Sequence, residues 1–318
     1  MLVHLRLTVP EDLTDDVVRL LEARSRVTNL VIQPGVCRDP RGDLVECDTA
    51  RESAGELVDA LRDLGLADRG GIVISRPTGT PFRRAGELED AAPGEPDDAV
   101  IWDEVLASAE SASTPTISYH VFLVLATVLA AIAVITDSSV LVVGAMVVSP
   151  DFAPVAALCT GVVFGRLGVV WRSAILLVAS FVFAIAVVAV LGVIADGTHL
   201  INAADVTRPR PQTAFIWHPD HWSFIVALIA GAVGVLAMST DKTAAMVGVF
   251  ISVTTVPAAG NLALGLATWQ QSEITGSASQ LGINLAGLVL AGIVTLAIQR
   301  LLWQHVTHAA QLLFGRLP

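Results

Sequence analysis

Residues 2–9, "LVHLRLTV", alternate apolar and polar side chains with a period of two, which predicts a half-buried strand. From Thr14 the period changes. "TDDVVRLLEAR" (14–24) repeats apolar residues at helical spacing behind a threonine suited to an N-cap. "VTNLVIQ" and "GDLVECD" flank a Gly-, Pro- and Asp-rich loop and predict a hairpin. "ESAGELVDALRDLG" predicts a second amphipathic helix ending on Gly65, and "GGIVISR" a last strand. The order βαββαβ is that of a ferredoxin-like α+β domain over residues 1–76. It contains no phosphate-cradling glycine loop and no zinc spacing. Such a domain either assembles with copies of itself or senses a ligand, and its fold does not choose between them.

Residues 77–98 are rich in Pro, Gly and acids and predict a linker. "DDAVIWDEVLASAESAS" then predicts a juxtamembrane amphipathic helix with Ile101, Trp102 and Val105 on its apolar side, so that linker and helix fill 77–116. Beyond it the alternation of polar and apolar positions gives way to long apolar runs at 117–135, 139–164, 169–195, 222–238, 243–268 and 279–303. About 20 apolar residues cross a bilayer, so a transmembrane domain of about six spans is expected over 117–305, followed by a tail at 306–318. Trp171, Trp217, Trp222, Trp269, Trp303 and Tyr119 fall at the ends of these runs, as an aromatic belt requires.

Charge sharpens the division. Residues 1–110 carry 12 Arg against 23 Asp and Glu, whereas residues 111–318 carry seven cations and seven acids. The whole net charge of −11 therefore sits in the N-terminal part. No basic nucleic-acid footprint is present, so no nucleic-acid partner is expected. "MLVHLRLTVPEDLTDD" lacks a basic stretch followed by an apolar core, which places the soluble domain in the cytoplasm. Arg166, Arg172, Lys242, Arg300 and Arg316 then fall inside and Arg208 and Arg210 outside, in agreement with the positive-inside rule. The expected location is the plasma membrane, multi-pass, with both termini cytoplasmic. Cys37, Cys47 and Cys159 make no CxxC and no disulfide framework, although Cys37 and Cys47 could approach each other across the hairpin.

Within the apolar part, "TDSSVLVVGAMVV" (136–148) resembles "TDKTAAMVGVFIS" (240–252). At one constant offset Thr136 matches Thr240, Asp137 matches Asp241, Gly144 matches Gly248, Val147 matches Ile251 and Gly161 matches Gly265. In each copy a short span precedes Thr-Asp, a proline-broken span follows, and a third span completes the unit. Three spans are an odd number, so the second unit is expected upside down. Inverted three-plus-three repeats with broken helices are a recurring transporter plan. The breaks are placed at Pro150 and Pro154, then at Pro257. "SPD" (149–151) predicts a helix restart near mid-membrane, with Ser149 as N-cap, Pro150 at the first helical position and Asp151 near the positive end of the dipole. Asp151 either caps that half-helix or binds a cation or proton within a cavity. Thr254, Thr255 and Asn261 at the second break, with Asn284 in the last span, either complete a polar site or bond neighbouring helices. Gly161 and Gly165 form a GxxxG that reads as close packing. "WHPDHW" (217–222), with His199 and Asp205 upstream, reads as interfacial polarity rather than a metal site, and His305 and His308 as a solvated face. No nucleophile–base–orienter set is present, so neither an enzyme nor a cofactor is expected.

The two quoted units, with the "GAMVVSPDFAP" core (144–154), resemble the bacterial and archaeal hydrophobic membrane family called domain of unknown function 389 over roughly residues 115–305. That resemblance implies a membrane location and the fold above and supplies no substrate. The expected function is a transporter or channel-like protein for a small solute or ion, regulated by its cytoplasmic domain. A non-transporting sensor or scaffold that oligomerises through that domain is the alternative. Expected partners are membrane lipids, further copies of the chain and an unknown small solute or ion.

Overall fold

The N-terminal alternation becomes β1 (Leu2–Pro10); the computed structural model describes residues 2–91, 100–240 and 254–314. After β1 come α1 (Thr14–Glu22), β2 (Val27–Arg38), β3 (Arg41–Ala50), α2 (Arg51–Asp63), a single turn α3 (Leu66–Arg69) and β4 (Gly71–Ser75). The sheet runs β2-β3-β1-β4 with every neighbouring pair antiparallel. One face is buried because the strand period of two sends Leu5, Leu7 and Val9 of β1 inward together. There they meet Val17 and Leu21 of α1 and Leu57 and Leu61 of α2. His4 points away from that core and pairs with Asp48 on the neighbouring strand at 2.8 Å.

Two local details depart from expectation. Thr14 lies inside α1, after Leu13, and its hydroxyl donates to the Asp43 carboxylate at 2.7 Å instead of capping the helix. Cys37 and Cys47 do not meet. Cys37 pairs with Gly42 next to the hairpin turn, whereas Cys47 faces Leu5 in the interior. Burial, aided by the Asp48 charge, pushes the Cys47 thiol up to about 12. Gly65 follows α2 with φ +78°, the left-handed value its position after a helix demands. Part of the expected linker is helical. In α4 (Arg83–Ala91), Ala85 and Leu88 pack with Phe82 against Leu2 and Ala50.

The chain divides into two compact units, the second of which runs from Glu104 to Val306. Along the second part run α5 (Trp102–Ala112), α6 (Ile117–Ile135), α7 (Ser139–Val148), α8 (Phe152–Val163), α9 (Leu167–Gly197), α10 (Ala203–Thr207), a 3-10 turn at Ala214–Ile216, α11 (His221–Ser239), α12 (Thr255–Ala267) and α13 (Gln271–Phe314). Four helices, α6, α9, α11 and α13, are long and apolar enough to cross a membrane. The pair α7 and α8, bent by 51°, makes a fifth span if counted as one. The six expected spans are therefore four to five among the described residues. Of the segment expected at 243–268, residues 254–268 are described; Asp241, Lys242, Gly248 and Ile251 lie outside the described residues.

Small residues bring these helices close. A Cβ on Gly260 of α12 would lie 2.8 Å from the Ala131 nitrogen and 3.0 Å from the Thr127 oxygen of α6. A Cβ on Gly231 of α11 would lie 2.5 Å from the Leu288 oxygen of α13. Local structure recurs at an offset of 104 residues, the separation of Asp151 and Thr255. Both bounds of α6, Ile117 and Ile135, recur in α11 as His221 and Ser239. Thr136 bonds back to the Ile132 carbonyl as Thr240 does to Leu236, each hydroxyl at 2.8 Å. The Arg166 N–H donates to the Gly161 carbonyl at 2.8 Å and the Gln270 N–H to that of Gly265 at 2.9 Å. Between them Gly165 and Trp269 both take positive φ, +67° and +55°. Gly161 and Gly165 thus form the turn into α9, with Gly161 packed on Val169 and Val170.

Candidate binding site at the helix break

Ser149, Pro150 and Asp151 separate α7 from α8. Proline has no N–H and disfavours a helical residue before it, and Ser149 is accordingly extended (φ −71°, ψ 132°). Its N–H closes α7 by bonding to the Met146 carbonyl at 3.3 Å. Asp151 is already in the helical region and precedes α8, but its carboxylate makes no capping bond. It turns inward instead. One oxygen accepts the Ser149 hydroxyl at 2.7 Å, and the other accepts the Thr255 hydroxyl. Ser149 therefore serves the carboxylate and not a backbone N–H. Pro154 and Pro257 occupy the first turns of α8 and α12, where a missing N–H has no intrahelical consequence.

Asp151, Ser149 and Thr255 are all buried. An unpaired carboxylate in an apolar interior costs several kcal/mol, roughly, and two hydroxyl donors offset part of that. No cationic side chain pairs with Asp151 among the described residues. Beside Thr255, the Thr254 hydroxyl oxygen accepts the Asn284 amide at 2.7 Å and the Gln280 amide at 3.0 Å. The Gln280 carbonyl oxygen is buried without a hydrogen-bond partner among the described residues. Two oxygen-bearing clusters thus meet at Thr254 and Thr255: the Asp151 carboxylate with the Ser149 and Thr255 hydroxyls, and the Thr254 hydroxyl with the Gln280 and Asn284 amides.

Asn261 stands apart from this group. Its side chain donates to Glu273 and Ser277, each at 2.7 Å, and accepts from Arg210 at 3.0 Å. Arg210 also pairs with Glu273 at 2.8 Å, and both side chains are buried. Glu273, Ser277, Gln280 and Asn284 follow one another at helical spacing on α13, and all four are buried. They form a polar stripe about 16 Å long along a helix otherwise apolar enough to span a membrane. Of the repeat-related acids, Asp137 accepts the Gln212 N–H and the Thr213 hydroxyl, and Asp241 lies outside the described residues. Within "WHPDHW", Asp220 caps α11 through Ser223, and the His218 ring packs beside Trp217. No group of three or more His, Cys, Asp and Glu is placed to hold a metal among the described residues. An apolar groove of about 820 Å³ between α6 and α9, lined by His120, Val124 and Phe183, includes none of the break residues.

Residues 146–290 match the model of the family described as Domain of unknown function (DUF389). This stretch belongs to the DUF389 family. No curated protein and no solved structure matches the chain. The match begins at Met146 in α7 and ends within α13, so the DUF389 region contains both Asp151 and the polar stripe. Sequence reasoning missed Arg210, Glu273, Ser277 and Gln280. The stripe had a signal, since its polar residues recur every three to four positions through "QSEITGSASQLGIN" (271–284).

Proposed function

We propose that the chain is a multi-pass protein of the plasma membrane, with both termini cytoplasmic, that moves a small solute or ion through its DUF389 region. The Asp151–Thr255 hydrogen bond carries this reading. It joins the break between α7 and α8 to the first residue of α12, through residues at equivalent positions of the two sequence units. In two inverted three-segment halves, equivalent residues touch only near the two-fold axis, which is where repeat-built transporters hold their cargo. The buried stripe on α13 supports the same reading, since an anchor has no use for four enclosed polar side chains. An oxygen-lined group with one carboxylate suits a monovalent cation or a proton better than an anion.

The N-terminal unit, read as a ferredoxin-like domain, regulates or assembles the protein. Self-association is supported by β2, which lies at the sheet edge and exposes Val31, Ile32 and Val36. The test is flux in proteoliposomes holding the full chain, with a pH-sensitive dye for protons and radioactive sodium for the alkali cation. Either signal should exceed that of empty vesicles and fall at least about ten-fold in Asp151→Asn. Absence of both, or equal flux in the variant, removes the cation reading.

A further inference from the structure

We propose that residues 208–217, in the connection between α9 and α11, are a strap that closes one end of the buried polar stripe by gripping both halves of the bundle. Its grip on the first half is at the α6–α7 turn. Arg208 donates to the Ile135 carbonyl, the Gln212 N–H and Thr213 hydroxyl to Asp137 at 3.1 and 2.9 Å, and Ser139 to the Gln212 side chain at 3.2 Å. Its grip on the second half is Arg210. This side chain is 2% exposed, lies 3.8 Å over the Trp217 ring, and ends on Asn261 of α12 and Glu273 of α13. The Trp217 carbonyl presses on Gly276, where a Cβ would come within 2.1 Å. Glu273 and Ser277 begin the stripe that leads to Gln280, Asn284 and the Asp151 group. The strap sits at the head of that track.

The matching place in the first unit shows what is special here. Ala109 and Ala112 of α5 pack on Ala157 and Val169, positions that correspond at the same offset to Thr213, Ile216, Asn261 and Glu273. One seam is dry and the other is ionic. Apolar burial stabilises closure throughout. A buried ion pair stands close to balance, because the attraction gained is offset by the hydration lost. The ionic seam is therefore the one that parts readily, and hydration of Arg210 and Glu273 in the open form replaces what their contact gave. The Arg210 Nε, buried without a hydrogen-bond partner among the described residues, lowers the cost of parting further.

The inference rests on the two-half reading of the bundle but not on transport, and its test reads accessibility alone. In the full chain with Cys37→Ser, Ser277→Cys reports the ionic seam and Ala157→Cys the dry one, through the rate of reaction with a membrane-impermeant maleimide. Arg210→Gln should speed labelling at 277 on the order of ten-fold and leave 157 unchanged. Asp137→Asn, which loosens only the half-exposed anchor, should speed 277 several-fold, roughly. The exchanged pair Arg210→Glu with Glu273→Arg should restore protection. Unchanged labelling at 277 in a folded variant, or an equal rise at 157, overturns the strap. If Arg210→Gln does not fold, Asp137→Asn decides. Loss of flux with the strap result intact would sink transport and leave the strap standing.

Discussion

Two glycines in the bundle should respond to alanine with opposite signs. Gly144 lies inside α7, and an added Cβ would meet only Leu129 Cδ2 at 3.7 Å, an ordinary contact. Gly260 lies inside α12, where the same Cβ would sit 2.8 Å from the Ala131 nitrogen, 2.9 Å from the Ala130 Cβ and 3.0 Å from the Thr127 oxygen. Two of these three are backbone atoms and cannot rotate away. Alanine in a helix interior is favoured over glycine by about 1 kcal/mol. Overpacking a tight contact costs about 1–3 kcal/mol. Gly144→Ala should therefore stabilise by about 1 kcal/mol, and Gly260→Ala should destabilise by up to about 2 kcal/mol. At about 2–4 °C per kcal/mol the two melting points should differ by roughly 2–12 °C. Tryptophan fluorescence melts of the full chain in one detergent measure this directly. Equal melting points, or a Gly260→Ala chain more stable than the parent, would mean that α12 and α6 are not in contact as described.

Other consequences are open to the same preparation. Removing either member of the Arg210–Glu273 pair (Arg210→Met or Glu273→Gln) should cost about 3–5 kcal/mol, while the double variant costs much less than the sum; additive losses would refute the ion pair. Thr255→Val should lose about 1–3 kcal/mol by stripping a donor from Asp151, while Thr255→Ser keeps it; identical melts for the two would refute the bond. In the N-terminal unit both Glu52 carboxylate oxygens are buried without a hydrogen-bond partner among the described residues. Burial, reinforced by the nearby Glu89 charge, raises its carboxyl above the usual 4.5. A raised carboxyl contributes stability that is present below the unfolded value and lost as pH rises through the folded one. Glu52→Gln should therefore gain stability over the parent as pH goes from 4 to 7, and a difference in melting point that stays flat with pH would contradict this.

Much of the frame was legible in the sequence because it rests on composition at helix ends. The span expected at 117–135 has the bounds of α6, where Thr116 caps one end and Thr136-Asp137 stops the other. The break at Ser149–Asp151 was legible because proline leaves few choices to the chain. What the short polar side chain does there was not: a serine before a helix is usually a cap, but here its hydroxyl meets the Asp151 carboxylate two residues on at 2.7 Å. Asn261 was grouped with Thr254 and Thr255 because they are neighbours in sequence. Six further residues of helix carry it away from Thr255, to Arg210 and Glu273. Arg210 itself stands in "TRPRPQ", a polar, proline-rich run that local pattern assigns to solvent, and its burial depends on partners 51 and 63 residues away. Helical content at 83–91 was hidden by its charge, since Phe82, Ala85 and Leu88 are the few apolar residues of that stretch and all find a surface to cover.

The contact between Asp151 and Thr255 limits how the bundle can move. A point shared by two halves at corresponding positions is the place least displaced when one half tilts against the other. Sliding or spreading would tear the carboxylate from its hydroxyl donor; in the proposed two-half reading, tilting about that point would leave the pair together while one end of the stripe opened and the other shut. Under the proposed transport function, a cargo held there would keep its ligands through the whole cycle, and the work of each turnover would fall on the periphery.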